Sequence, residues 1–61
     1  MSLYIARVFE DGIAYEYEYG NMDHALEHYN HEKNVEIIRY NQGKETILRR
    51  KINGKDLTIQ N

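Results

Sequence analysis

The chain reads as α+β with the order ββαβββ, one helix packed on an antiparallel sheet of about five strands. Three observations predict this. A single stretch has a helical apolar period, with Met22, Ala25, Leu26 and Tyr29 at i, i+3, i+4 and i+7. Segments alternating between apolar and polar residues lie on both sides of it. The dipeptides Asp11-Gly12, Gln42-Gly43 and Asn53-Gly54 punctuate those segments as turns.

The first two strands are expected over 3–10 and 13–19. Asp-Gly between alternating runs signals a type I′ hairpin, because both central residues must take positive φ. That turn sets Val8 opposite Tyr15, Ala6 opposite Tyr17 and Tyr4 opposite Tyr19, all on one face with Ile13. The other face pairs Arg7 with Glu16, Ile5 with Glu18 and Phe9 with Ala14. The tyrosine face is expected to lie under the helix.

Asn21 suits the helix N-cap, since its side-chain oxygen can accept from a free backbone N–H one turn in. Asp23 in the first turn complements the positive end of the helix dipole. Asn30 or Asn34 is expected to end the helix in the left-handed conformation. A helix of three turns is marginal in water and must lie on a sheet. His24, His28 and His31 repeat at helical spacing beside Glu27, a pattern able to grip a transition metal. They point roughly opposite the apolar stripe, so a solvated polar face is expected in place of a ligand set. No metal and no cofactor is expected.

Strands three to five are expected over 35–40, 46–52 and 57–59. Pairing across the two Gly turns aligns Ile37 with Leu48 and Ile59, and Val35 with Arg50 and Leu57, with Ile52 beyond. The reverse face then pairs Glu36 with Arg49, and Ile38 with Ile47. The last pair is left as an apolar spot suited to a dimer surface.

Sixty-one residues make one domain, 1–61, burying about 60% of its unfolded surface, a narrow margin over the ordering entropy. With no Cys and no zinc spacing the chain lacks covalent or metal staples, so a homodimer is expected. No apolar run approaches membrane-spanning length and no signal-peptide core occurs, which predicts a cytoplasmic protein with no membrane partner. The net charge of −2 hides a split. Residues 1–36 carry eight acids and two bases, for −6; residues 37–61 carry two acids and six bases, for +4. No phosphate-binding loop, dinucleotide fingerprint, H-E-x-x-H or C-x-x-C occurs, and no hydroxyl has a base nearby. An enzyme is not expected.

One stretch resembles a known family. Tyr15-Glu16-Tyr17, Gly20, a helix containing Leu26-Glu27, and Glu36-Ile37-Ile38-Arg39, with Asp11-Gly12 ahead of them, are similar in kind and spacing to the small uracil-DNA glycosylase inhibitors of Bacillus phages. The resemblance covers 11–39. It implies a dimeric DNA mimic whose acidic surface occupies the DNA-binding face of the enzyme, while apolar groups grip a protruding leucine. Glu16 would match a functional strand glutamate, and Leu26 a helical aromatic that helps form the grip. Leu26 is not aromatic, and the family lacks a basic hairpin like that over 44–60. The expected partner surface is Glu16, Glu18, Asp23, Leu26, Glu27 and Glu32, directed at a DNA-processing enzyme in the host cytoplasm. The alternative expectation is a nucleic-acid-binding module using Arg39, Lys44, Arg49 and Lys51, since cationic clusters neutralise phosphates.

Overall fold

The computed structural model describes residues 2–58. Strands β1 (Leu3–Glu10) and β2 (Ile13–Tyr19) are followed by helix α1 (Met22–His31), then β3 (Val35–Asn41), β4 (Lys44–Ile52) and the two-residue β5 (Lys55–Asp56). All five strands form one antiparallel sheet in the order β2-β1-β3-β4-β5. The helix carries the chain across β1, so β3 pairs with β1 and the two become central.

Each hairpin turns on a residue pair with positive φ: Asp11 and Gly12, Gln42 and Gly43, Asn53 and Gly54. These are type I′ turns, whose twist matches that of the flanking strands. Gln42 has φ 53°, costly for a residue that is neither Gly, Asn nor Asp. The first hairpin has the expected register throughout, from Tyr4 opposite Tyr19 to Phe9 opposite Ala14.

Asn21 caps the helix, its Oδ1 accepting from the His24 N–H at 3.1 Å. The other end departs from expectation. Neither Asn30 nor Asn34 is left-handed; Glu32 is extended, and its N–H donates to the His28 carbonyl. Asn34 instead ties three elements together. Its carbonyl accepts from Phe9, and its side chain accepts from the Asn53 N–H. That side-chain bond anchors the β4–β5 turn to the loop after the helix.

The core is Ala6 and Val8 of β1, Ala25 and Tyr29 of α1, and Val35 and Ile37 of β3, closed by Tyr4, Tyr19, Met22, Leu26 and Leu48. Ala6 and Ala25 have no exposed surface, so the helix backbone can approach the sheet closely. The helix packs mainly on β1, β2 and β3, and reaches β4 through Tyr29, leaving the Lys44–Ile47 end of β4 exposed. Tyr15 and Tyr17 remain 43% exposed, so only the inner part of the tyrosine face is roofed.

Two further expectations fail, for physical reasons. The histidines do not all face water: His28 stacks on Tyr17 with ring centroids 4.5 Å apart and is hydrogen-bonded through Nε2 to the Tyr19 hydroxyl. His24 sits edge-on to Tyr19. The helix lies over β1 and β3, so its flank drops onto β2, where long tyrosines rise to meet it. The β3–β4 register also slips. Near the turn Ile38 faces Ile47 as expected, but Ile37 then pairs with Arg49, Glu36 with Arg50 and Val35 with Lys51. Leu48 is the extra residue of a β-bulge, which shifts every later side chain of β4 to the opposite face. The β4–β5 pairing of Ile52 with Lys55 follows the turn. The fifth strand is expected over 57–59 but lies at Lys55–Asp56; Ile59 lies outside the described residues.

Candidate interaction surfaces

Backbone register sorts the charged side chains onto three surfaces. The first is the β2 edge with the helix beside it. Every residue of β2 except Tyr19 is exposed. Glu16 and Glu18 project from its face away from the helix. Asp23 and Glu27 are exposed on α1, and Glu32 is half-buried at the helix end. The expected partner residues therefore straddle the β2 edge, two on one side of the sheet and three in the helix layer. Leu26 is partly buried against the core, which limits what it can offer a partner. Among the described residues Glu10, Asp11, Glu18, Asp23, Glu27 and Glu32 form no ion pair, whereas Glu16, Glu36, Glu45 and Asp56 each do.

The second surface is the sheet face opposite the helix. Glu16, Arg7, Glu36 and Arg50 lie in one row across β2, β1, β3 and β4. Arg7 Nε donates to Glu16 at 2.7 Å, and its Nη1 reaches Glu36 at 3.4 Å. Arg50 donates to Glu36 through Nε at 2.8 Å and Nη2 at 2.6 Å. Glu36 is only 8% exposed, and two guanidiniums compensate its lost hydration. Around this row stand Leu3, Phe9, Tyr40, Ile47 and Ile52, each 37–48% exposed. The centre, Ile5 and Ile38, is already buried. Sequence reading missed Arg50 and Glu36 as partners because the bulge that aligns them leaves no trace in the alternation.

The third surface is the helix side of β3 and β4. Arg39 on β3 and Lys44 and Thr46 on β4 share that side, and the bulge turns Arg49 and Lys51 onto it as well. Arg49 and Lys51 both cover the Tyr29 ring, at 4.6 and 4.3 Å from its centroid. Lys51 Nζ also donates to the Tyr29 carbonyl, and Tyr29 Oη donates to the Arg50 carbonyl at 3.3 Å. Burial raises the Tyr29 pKa above its ordinary value. Arg49 pairs with Asp56 at 3.0 Å.

Hydrogen bonds from the Thr58 hydroxyl and N–H, then the neighbouring Tyr29 and Arg49, hold the Asp56 carboxyl well below the usual carboxylate range. Because that pKa is depressed on folding, its contribution is complete above the ordinary value of about 4 and fades only in stronger acid. All four basic residues of the alternative expectation thus meet on one surface, with Asp56 as the acid among them.

Among the described residues no group of three or more His, Cys, Asp or Glu side chains could hold a metal ion, and no helix is long and apolar enough to cross a membrane. No protein-family model matches the chain, and neither a curated protein nor a solved structure shows significant similarity to it.

Proposed function

We propose that this chain is a small non-enzymatic protein that inhibits a DNA-processing enzyme, uracil-DNA glycosylase by resemblance, in the cytoplasm of a phage-infected cell. In this reading its carboxylates take the places of DNA phosphates. The observation that carries the proposal is where charge remains uncompensated. Among the described residues every acid after residue 32 is neutralised internally, while six carboxylates without an ion pair lie on the β1–β2 hairpin, the β2 edge, the helix and its C-cap. Of these, Glu18 on the β2 edge and Asp23 and Glu27 on α1 are exposed, and they form the anionic part of the expected partner surface. Tyr15 and Tyr17 add half-exposed aromatic surface of the kind enriched at binding hot spots.

A uracil-excision assay tests this. The triple reversal Glu18→Lys, Asp23→Lys, Glu27→Lys spares Glu16, which Arg7 already engages. Inhibition is expected to weaken roughly tenfold or more, mainly through slower association. Equal inhibition by wild type and the triple variant, or none by wild type, removes the reading.

The same proposal holds the protein as a homodimer joined through the face opposite the helix. The row Glu16, Arg7, Glu36, Arg50 alternates in sign. A two-fold axis parallel to the strands, between β1 and β3, sets the row against its own reverse, so each carboxylate faces a guanidinium of the second copy. Glu18 and Glu45 fall at the margins, where water still reaches them. The molecule measures 31 × 26 × 20 Å. The two longer dimensions match five strands and their length, giving a face on the order of 800 Å², the share each partner brings to a standard interface. Light scattering is expected to give twice the 7.3 kDa chain mass, and Ile47→Asp with Ile52→Asp to give 7.3 kDa. A wild-type monomer at high micromolar concentration contradicts the pairing.

A further inference from the structure

We infer that the helix-side surface of β3 and β4 is a second binding site, one that takes the phosphodiester backbone of a nucleic acid through Arg39, Lys44, Arg49 and Lys51. This site is independent of the acidic surface and would exist whether or not the inhibitor reading holds. Strict alternation would place Arg49 and Lys51 on the face away from Arg39 and Lys44. The bulge at Leu48 reverses them, so the four cations share the helix side of β3 and β4, where α1 reaches Arg49 and Lys51 through Tyr29 and leaves Arg39 and Lys44 exposed.

The arrangement suits phosphate more than it suits bases. Lys44 to Lys51 runs along about 20 Å of strand, enough to track several phosphates. At its turn end Arg39, Asn41, Gln42, Lys44 and Thr46 line a recess of about 290 Å³. Its walls offer two cations, two amides and a hydroxyl, with no carboxylate among them. The ring that Arg49 and Lys51 cover is Tyr29, 4% exposed and so closed to base stacking. Contacts to the backbone alone predict binding without sequence preference. Glu18, the unpaired acid on β2, lies three strand spacings from β4, about 14 Å, beyond the Debye length of ~10 Å at 0.1 M salt.

Four cations less Asp56 leave an excess of three. Fluorescence anisotropy with a labelled duplex and a labelled single strand is the test. The logarithm of affinity is expected to fall with the logarithm of salt with a slope of about −2.7 on duplex DNA and about −2.1 on single strands. Arg39→Glu with Lys44→Glu, both at exposed positions, is expected to weaken binding at least tenfold and flatten the slope. Asp56→Asn, which frees Arg49, is expected to tighten binding several-fold and steepen the slope by about one unit. Preference for either polymer, or equal binding to both, identifies the form of backbone the stripe accepts. Absence of binding to both polymers at low salt overturns the site. So does unchanged affinity in the double reversal, provided its circular dichroism melt matches wild type. The triple acid variant should bind DNA at least as well as wild type, which separates this result from the fate of the inhibitor reading.

Discussion

An Ile37→Ala chain is expected to be largely unfolded at physiological temperature. Ile37 has no exposed surface, sits opposite Ala6 at the centre of the sheet, and belongs to the cluster beneath α1. Truncating such a side chain costs about 2–5 kcal/mol, from lost transfer free energy plus an unfilled cavity. A core of this size supplies a net stability of only ~3–5 kcal/mol. The substitution therefore removes most of the margin, and a melt followed by circular dichroism should shift down by roughly 10–20 °C. Ile13→Ala removes the same atoms at a position 52% exposed and should move the midpoint by only a few degrees. If both variants melt alike, the core has been placed wrongly.

The second large effect concerns Glu36, the one buried charged residue among the described residues. Two guanidiniums hold it, so Arg7→Gln or Arg50→Gln alone leaves a compensating partner. Removing both strands a carboxylate whose side chain is 11% exposed, at a cost of about 3–5 kcal/mol. The double variant should thus be destabilised by more than the sum of the singles. Adding Glu36→Gln to it should restore much of the loss, because a neutral amide is far cheaper to bury than an unpaired charge. Urea denaturation of the four proteins measures the coupling. Additive single effects without rescue would mean that the arginines act on Glu36 only through packing.

Part of this architecture is legible from local chemistry. The i, i+3, i+4, i+7 stripe specifies α1 and the face it buries, and the Asn21 cap locates its start. Asp11-Gly12 specifies both the first hairpin and its register, since a two-residue turn leaves one way to pair the strands. Ile38 opposite Ile47 follows in the same way from Gln42-Gly43. Charge segregation between the two halves is also visible in the chain, although which acids stay uncompensated is not.

The remainder depends on contacts between residues far apart in sequence. Insertion of β1 between β2 and β3 makes Val35 to Ile38 the interior of the sheet and brings Arg7 to Glu36, 29 positions away. The Leu48 bulge keeps a leucine against the core while delivering Arg50 to Glu36 and Arg49 to Tyr29. No single strand records that compromise. His28 is a similar case: angle around the helix axis says where it points, but the lateral position of α1 over the sheet decides that Tyr17 and Tyr19 are there to receive it. Periodicity and turn geometry are properties of neighbouring residues and can be read along the chain. Strand order, bulge and ion pairing are minima of a sum over distant residues, and only the folded chain evaluates that sum.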